Sequence, residues 1–210
     1  MVVMRQKYIL YFLIVVIIFM VGRIAIHSMY HTIRNVPSTG SGVIAFGDSL
    51  VKGVGSTPGN DFVSVLSNLS GVQIENAGLS GDTTETALTR IDSVLGDKKP
   101  QVVIVLLGGN DFIRRVPKAQ TFMNLKKIIA ICQNRGSVVI LLGVQDGVIF
   151  DGAERDYADL ADSTGSILVP NILAGLVGNP LLMSDTIHPN DKGYAIMARN
   201  VLPALKEAMQ

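Results

Sequence analysis

Two apolar runs constrain the fold of this chain more than any other feature: Val102-Val-Ile-Val-Leu-Leu107 and Val138-Val-Ile-Leu-Leu142. Neither alternates apolar with polar residues, as a strand with one wet face must. Continuous β-branched runs of this length fit parallel strands covered on both faces. Val43-Ile-Ala-Phe46 is a third such run and ends at a glycine. Ile167-Leu-Val169 is a short fifth strand in chain order, and Val72-Gln-Ile-Glu-Asn76 a weaker second one. Helical stripes lie between the runs. One carries Ala87, Leu88, Ile91, Val94 and Leu95 after a capping Asp82. Another carries Phe122, Leu125, Ile128, Ile129 and Cys132. The last carries Tyr194, Met197, Ala198, Val201, Leu202 and Leu205, with Pro203 expected to bend it. Strand–helix alternation predicts a three-layer α/β/α, doubly wound domain over residues 43–210.

Composition matters chiefly at the N-terminus. Of the 210 residues, 48% are hydrophobic, and part of that excess is local: Tyr8 to Gly22 carries no charge. As a helix this stretch spans about 22 Å, and with Ile24, Ala25 and Ile26 about 28 Å, close to a hydrocarbon core. A cleaved signal and an uncleaved signal-anchor both fit. The stretch after Gly22 lacks a small-x-small cleavage site, which favours the anchor. Residues 1–36 are therefore expected to form a transmembrane or signal helix that makes the membrane a partner, and residues 37–42 a linker. Arg5 and Lys7 precede the span and favour a cytoplasmic N-terminus. The domain is then expected to be tethered to the inner membrane on its periplasmic side. A net charge of +1, with no basic cluster beyond Lys98-Lys99, Arg114-Arg115 and Lys126-Lys127, argues against a nucleic-acid partner. A single Cys132 allows no intrachain disulfide and reads as a buried core thiol.

Ligands on such sheets bind at the carboxyl ends of the strands. Three of those ends are polar and glycine-rich: Gly47-Asp48-Ser49-Leu50, Asn76-Ala-Gly78-Leu-Ser-Gly81-Asp82-Thr83, and Gly108-Gly109-Asn110-Asp111. A fourth cluster, Ser184-Asp185-Thr-Ile-His188-Pro-Asn190, precedes the last helix. Each alone fits an ordinary turn or cap. Together they match the needs of a serine nucleophile. A hydroxyl attacks only when a base takes its proton, and His188 is the only histidine outside the N-terminal segment. Asp185, three residues earlier, is placed to fix the imidazole tautomer. The N–H groups of Ser49 and Gly81 and the side-chain amide of Asn110 are candidate oxyanion donors. Asp48 and Asp111 read as braces of their loops, Gly78 and Gly109 as turn residues, and Asn190 as a cap.

In order, Phe46-Gly47-Asp48-Ser49-Leu50, the block from Asn76 to Thr84, Val105 to Asp111, and Asp185-Thr-Ile-His188-Pro189-Asn190 resemble the four motif blocks of the SGNH (GDSL-type) hydrolase family. The resemblance runs from Ile44 to about Leu205 and points to the arylesterase, acyl-thioesterase and lysophospholipase subgroup. It implies a flavodoxin-like parallel sheet of order 2-1-3-4-5. It implies Ser49, Asp185 and His188 as catalytic residues, with Ser49, Gly81 and Asn110 forming the oxyanion hole. It further implies hydrolysis of small-molecule or lipid acyl esters and thioesters with no cofactor and no metal. O-acetylated wall glycan is the alternative substrate, and a tethered non-catalytic binding module the alternative class. Phe112-Ile-Arg-Arg-Val-Pro117 is basic for the family, and Gly143 to Gly152 lacks a proline. In the latter stretch Val148, Ile149 and Phe150 either line the acyl pocket or pack on the sheet.

Overall fold

The structure is a computed structural model that describes Val16, residues 32–144 and residues 152–210. The N-terminal apolar segment, Val16 apart, and the trio Val148, Ile149 and Phe150 lie outside the described residues. Among the described residues no helix is long and apolar enough to cross a membrane. The chain divides into two compact units, and the second, Ile33–Gln210, is the α/β domain.

Five parallel strands form one sheet: β1 (Val43–Gly47), β2 (Ile74–Gly78), β3 (Val102–Leu106), β4 (Val138–Leu142) and β5 (Ile167–Val169). Their order is β2-β1-β3-β4-β5. The three central strands are buried at every position, as their unbroken apolar runs require. The edge strand β2 buries only Ile74 fully and leaves Glu75 and Asn76 exposed. It begins two residues later than its sequence suggests. Gly71 ends the preceding helix in a left-handed conformation, and Ser67 Oγ donates to Val72 O at 2.7 Å. Pairing therefore starts at Ile74, opposite Val43.

Seven helices connect the strands among the described residues: α1 (Ser49–Lys52), α2 (Phe62–Ser70), α3 (Thr84–Leu95), α4 (Gly109–Ile113), α5 (Lys118–Asn134), α6 (Ala153–Thr164) and α7 (Asp191–Ala208). Helices α2 and α7 pack together on one face, and α3, α5 and α6 on the other. Each longer helix buries its apolar stripe: Ala87, Ile91 and Leu95 on α3, Leu125, Ile128, Ile129 and Cys132 on α5, and Tyr194, Met197, Val201 and Leu205 on α7. Truncating one such buried aliphatic chain to alanine costs about 2–5 kcal/mol. Helix α7 runs on through the exposed Pro203 to Ala208.

The domain begins at the amino ends of the strands. Arg34 N donates to Gly165 O, Ser38 Oγ to Gly136 O, and Ser41 N to Lys99 O, at 2.9, 3.0 and 2.9 Å. These acceptors precede β5, β4 and β3. The stretch from Arg34 to Ser41, part of it expected as a linker, thus lies along the edge of the sheet opposite the loops that follow β1, β2 and β3. Helix α7 starts beside those loops, the Asp191 carboxylate accepting from Thr57 N and Thr57 Oγ1, each at 2.7 Å.

Candidate active site

Ser49 lies one residue beyond the end of β1, after Asp48, and opens α1. Asp48 caps that helix, its Oδ1 accepting from Leu50 N at 2.9 Å. This is the bracing role expected of Asp48. Gly47 is demanded by space: a Cβ there would lie 2.1 Å from Leu106 O and 2.6 Å from Val51 Cγ2. A larger residue would push the serine turn off the sheet.

His188 comes from the loop before α7. Its Nε2 lies 3.0 Å from Ser49 Oγ, and its Nδ1 lies 2.8 Å from Asp185 Oδ2. Asp185 Oδ1 accepts from the N–H groups of Ile187 and His188, each at 2.7 Å. The loop closes on itself, with Ser184 N and Oγ both donating to His188 O, at 2.9 and 3.0 Å. Asn190 caps α7 as expected, accepting from Lys192 N and Gly193 N. The hydrogen bond from His188 holds the Asp185 carboxyl at about 2, below the usual carboxylate range, with the two backbone donors assisting. Asp48 behaves oppositely. Burial raises it to about 7, only partly offset by the Leu50 N–H.

The glycine-rich block after β2 makes a tight turn in which Asp82 N donates to Leu79 O at 3.2 Å. Gly81 occupies its third position at φ +84, as a type II turn requires. That backbone conformation is the demand on residue 81 within the folded chain, since a Cβ there would meet only Arg114 Nη2, at 3.6 Å. Asn110, on α4, donates its side-chain amide to Asp82 O at 2.9 Å and to Asp48 Oδ2 at 3.3 Å. The three candidate oxyanion donors are thus tied to one another. Neither Ser49 N nor Gly81 N donates to an acceptor among the described residues. Ser49, Gly81, Asn110 and His188 are all partly accessible, whereas Asp48, Asp82 and Asp111 beneath them are buried.

Several minor expectations change in detail. Asp82 does not cap α3. Thr83 does, in a capping box with Thr86, and the Asp82 carboxylate instead accepts from Thr86 Oγ1 at 3.0 Å and Arg90 Nε at 2.6 Å. Gly109 opens α4 and Gly78 closes β2, so neither is a turn residue. Asp111 braces more than its own loop, accepting from Thr84 N at 2.8 Å and Thr84 Oγ1 at 2.5 Å. Sequence reasoning missed Arg90. The signal was available: Asp82, Thr86 and Arg90 recur at four-residue spacing, which puts polar groups on one face of an emerging helix.

Beside Asp185 lies an open groove of about 710 Å³, lined by Val177, Pro180, Met183 and Thr186 among others. Among the described residues no group of three or more His, Cys, Asp or Glu side chains is arranged to hold a metal ion.

Comparisons with known proteins place the chain among relatives. Residues 45–196 match the GDSL-like Lipase/Acylhydrolase family. Esterase TesA of Pseudomonas aeruginosa is 30% identical over 175 residues, covering 78% of this chain and 87% of that protein. Thioesterase 1/protease 1/lysophospholipase L1 of Escherichia coli is 27% identical over 164 residues, covering 74% and 79%. The crystal structure of TesA superposes with a TM-score of 0.75 at 30% identity, over 80% of this chain and 99% of that one. A match of that extent, laid over a sheet of order β2-β1-β3-β4-β5, settles the kinship: the chain belongs to the GDSL-like lipase/acylhydrolase family.

Proposed function

We propose that this chain hydrolyses small or lipid-derived carboxylic esters and thioesters through an acyl-Ser49 intermediate. Family membership makes it a serine-type ester hydrolase. The assignment of parts rests on one observation, the pair of contacts Ser49 Oγ to His188 Nε2 at 3.0 Å and His188 Nδ1 to Asp185 Oδ2 at 2.8 Å.

The chemistry follows from those contacts. With Nδ1–H donating to Asp185, His188 presents a bare Nε2 to the serine hydroxyl. Ser49 Oγ attacks the carbonyl carbon while its proton passes to Nε2. The charge arising on the carbonyl oxygen is met by the N–H groups of Ser49 and Gly81 and by the Asn110 amide, which keeps its bond to Asp82 O and turns to the oxyanion the hydrogen that it otherwise gives Asp48 Oδ2 at 3.3 Å. Asp185, ionised at any working pH, balances the imidazolium. His188 then gives the proton to the departing alcohol or thiol, leaving acyl-Ser49. Water enters, His188 takes its proton, and the acid departs with Ser49 restored.

The same proposal includes residues 1–36 as the segment that carries a membrane anchor holding the domain on the periplasmic side, or a cleaved signal that sends the domain out. The uncharged run Tyr8 to Gly22, with Arg5 and Lys7 ahead of it, supports this. The test of the chemistry is Ser49→Ala assayed on p-nitrophenyl butyrate, with fluorophosphonate labelling of the parent enzyme. Loss of both turnover and label is expected, and turnover near the parent rate in the variant would remove Ser49 from the mechanism.

A further inference from the structure

Arg90 reaches from α3 across the catalytic edge of the sheet. Its Nε donates to Asp82 Oδ2 at 2.6 Å, and its Nη2 donates to Gly47 O and Ala77 O, each at 3.0 Å. The guanidinium carbon stands 4.3 Å from the ring centroid of Phe46. One planar group therefore holds the ends of β1 and β2, and the residue it holds on β1 is the one preceding Asp48-Ser49. Its side chain is only 20% exposed, and that of Asp82 is 4% exposed.

Asp82 has an unusual number of duties for one residue. Its N–H closes the turn that holds Gly81. Its carbonyl accepts from the Asn110 amide at 2.9 Å. Its carboxylate grips Arg90 and Thr86. The two backbone groups of residue 82 thus orient two of the three oxyanion donors, and its side chain is bonded to the cation that grips the strand carrying the third. Among the described residues Asn110 also reaches the serine turn through the longer contact to Asp48, at 3.3 Å, and Leu79 N donates to Gly47 O at 2.9 Å, so the guanidinium shares its β1 acceptor with the turn that it helps to place.

We propose that Arg90, through its ion pair with Asp82, is the positioning residue that sets the spacing between Ser49 and the oxyanion donors Gly81 N–H and Asn110 Nδ2. It touches neither substrate nor reacting atoms. Its effect runs through geometry, and displacements of the order of 1 Å at such a site cost about a hundredfold in rate. Lysine cannot replace it, because a single ammonium lacks the planar fork that reaches an aspartate and two carbonyls at once.

The inference rests on the assignment of Ser49 and Asn110 made above, and the experiment keeps the two apart. Arg90→Met, Arg90→Lys and Asp82→Asn are compared with the parent on p-nitrophenyl butyrate, both alone and in an Asn110→Ala background. Each is expected to lower kcat by about ten- to a hundredfold with KM changed less than about threefold. In the Asn110→Ala background the same substitutions are expected to cost clearly less, because one of the donors that the pair positions is already gone. A role confined to stability predicts equal losses in both backgrounds, and that result overturns the inference. So does any folded variant of Arg90 with kcat within about twofold of the parent. Should Arg90→Met fail to fold, Asp82→Asn, which keeps the shape of the carboxylate, carries the same comparison. Parent-like turnover by Ser49→Ala would instead sink the assignment of the nucleophile, and this inference with it.

Discussion

Replacing Asp185 by asparagine separates orientation from folding. The substitution keeps the shape of the side chain, and its Oδ1 can still accept from the N–H groups of Ile187 and His188. The change falls on the other atom, which lies 2.8 Å from His188 Nδ1. An amide nitrogen there donates, so Nδ1 must accept, and the ring proton moves to Nε2. That proton then points at Ser49 Oγ, 3.0 Å away, where the mechanism needs a lone pair. The imidazole is held in place in the wrong tautomer, and a fall in kcat of about 10⁴ is expected. Stability should barely move. The Asp185 side chain is 53% exposed, so the loss of one hydrogen bond is largely made good by water, at about 1 kcal/mol or less. The assay pairs steady-state hydrolysis of p-nitrophenyl butyrate with urea denaturation of the same preparation. A variant that keeps kcat within about tenfold of the parent would refute the tautomer argument. So would a variant whose inactivity tracks its unfolding.

Other outcomes follow from the same geometry. Asn110→Ala should lower kcat by about two to three orders of magnitude, the usual cost of one oxyanion donor, and an unchanged kcat would take Asn110 out of the site. Asp48, raised to about 7 by burial, binds a proton in the folded state that the unfolded chain releases near pH 4. Folded stability therefore declines as pH rises through that window, by up to about 4 kcal/mol. Asp48→Asn should remove the decline, so denaturation at acid and at mildly alkaline pH should show the variant gaining on the parent only in the latter. An identical gap at both pH values would contradict this. Asp185 has the opposite sign. Its contribution is complete above the ordinary carboxylate range and is lost only as pH falls through about 2, so Asp185→Ala should not alter the slope of stability between pH 5 and 8.

Much of this architecture was legible because burial on both faces leaves no room for polar residues. That is why β1, β3 and β4 can be read directly from Val43-Ile-Ala-Phe46 and the two longer runs. The edge strand β2 is harder. Its start is set by where the exit from α2 releases the chain, and alternation in Val72-Gln-Ile-Glu-Asn76 does not record that. The residues of the site were readable as types. A domain with one histidine, an aspartate three before it, and glycine-rich strand ends leaves few other uses for them. What holds them was less readable. Asp82 looks like a cap from its position, yet Thr83 takes that role and frees the carboxylate for Arg90. The grip of Arg90 on Gly47 joins residues 43 positions apart, and only the parallel pairing of β1 with β2 brings them together.

The opposed edges of the sheet have a practical corollary. The chain enters the domain along the loops before β3, β4 and β5. The strands between are five residues long or shorter, about 17 Å of rigid sheet separating that entry from the serine. A bead, a fusion partner or a surface fixed ahead of Arg34 grips the domain by the heel. The reacting edge then faces outward, open to substrates as bulky as a micelle or a polymer, and immobilised enzyme should turn them over without an added spacer.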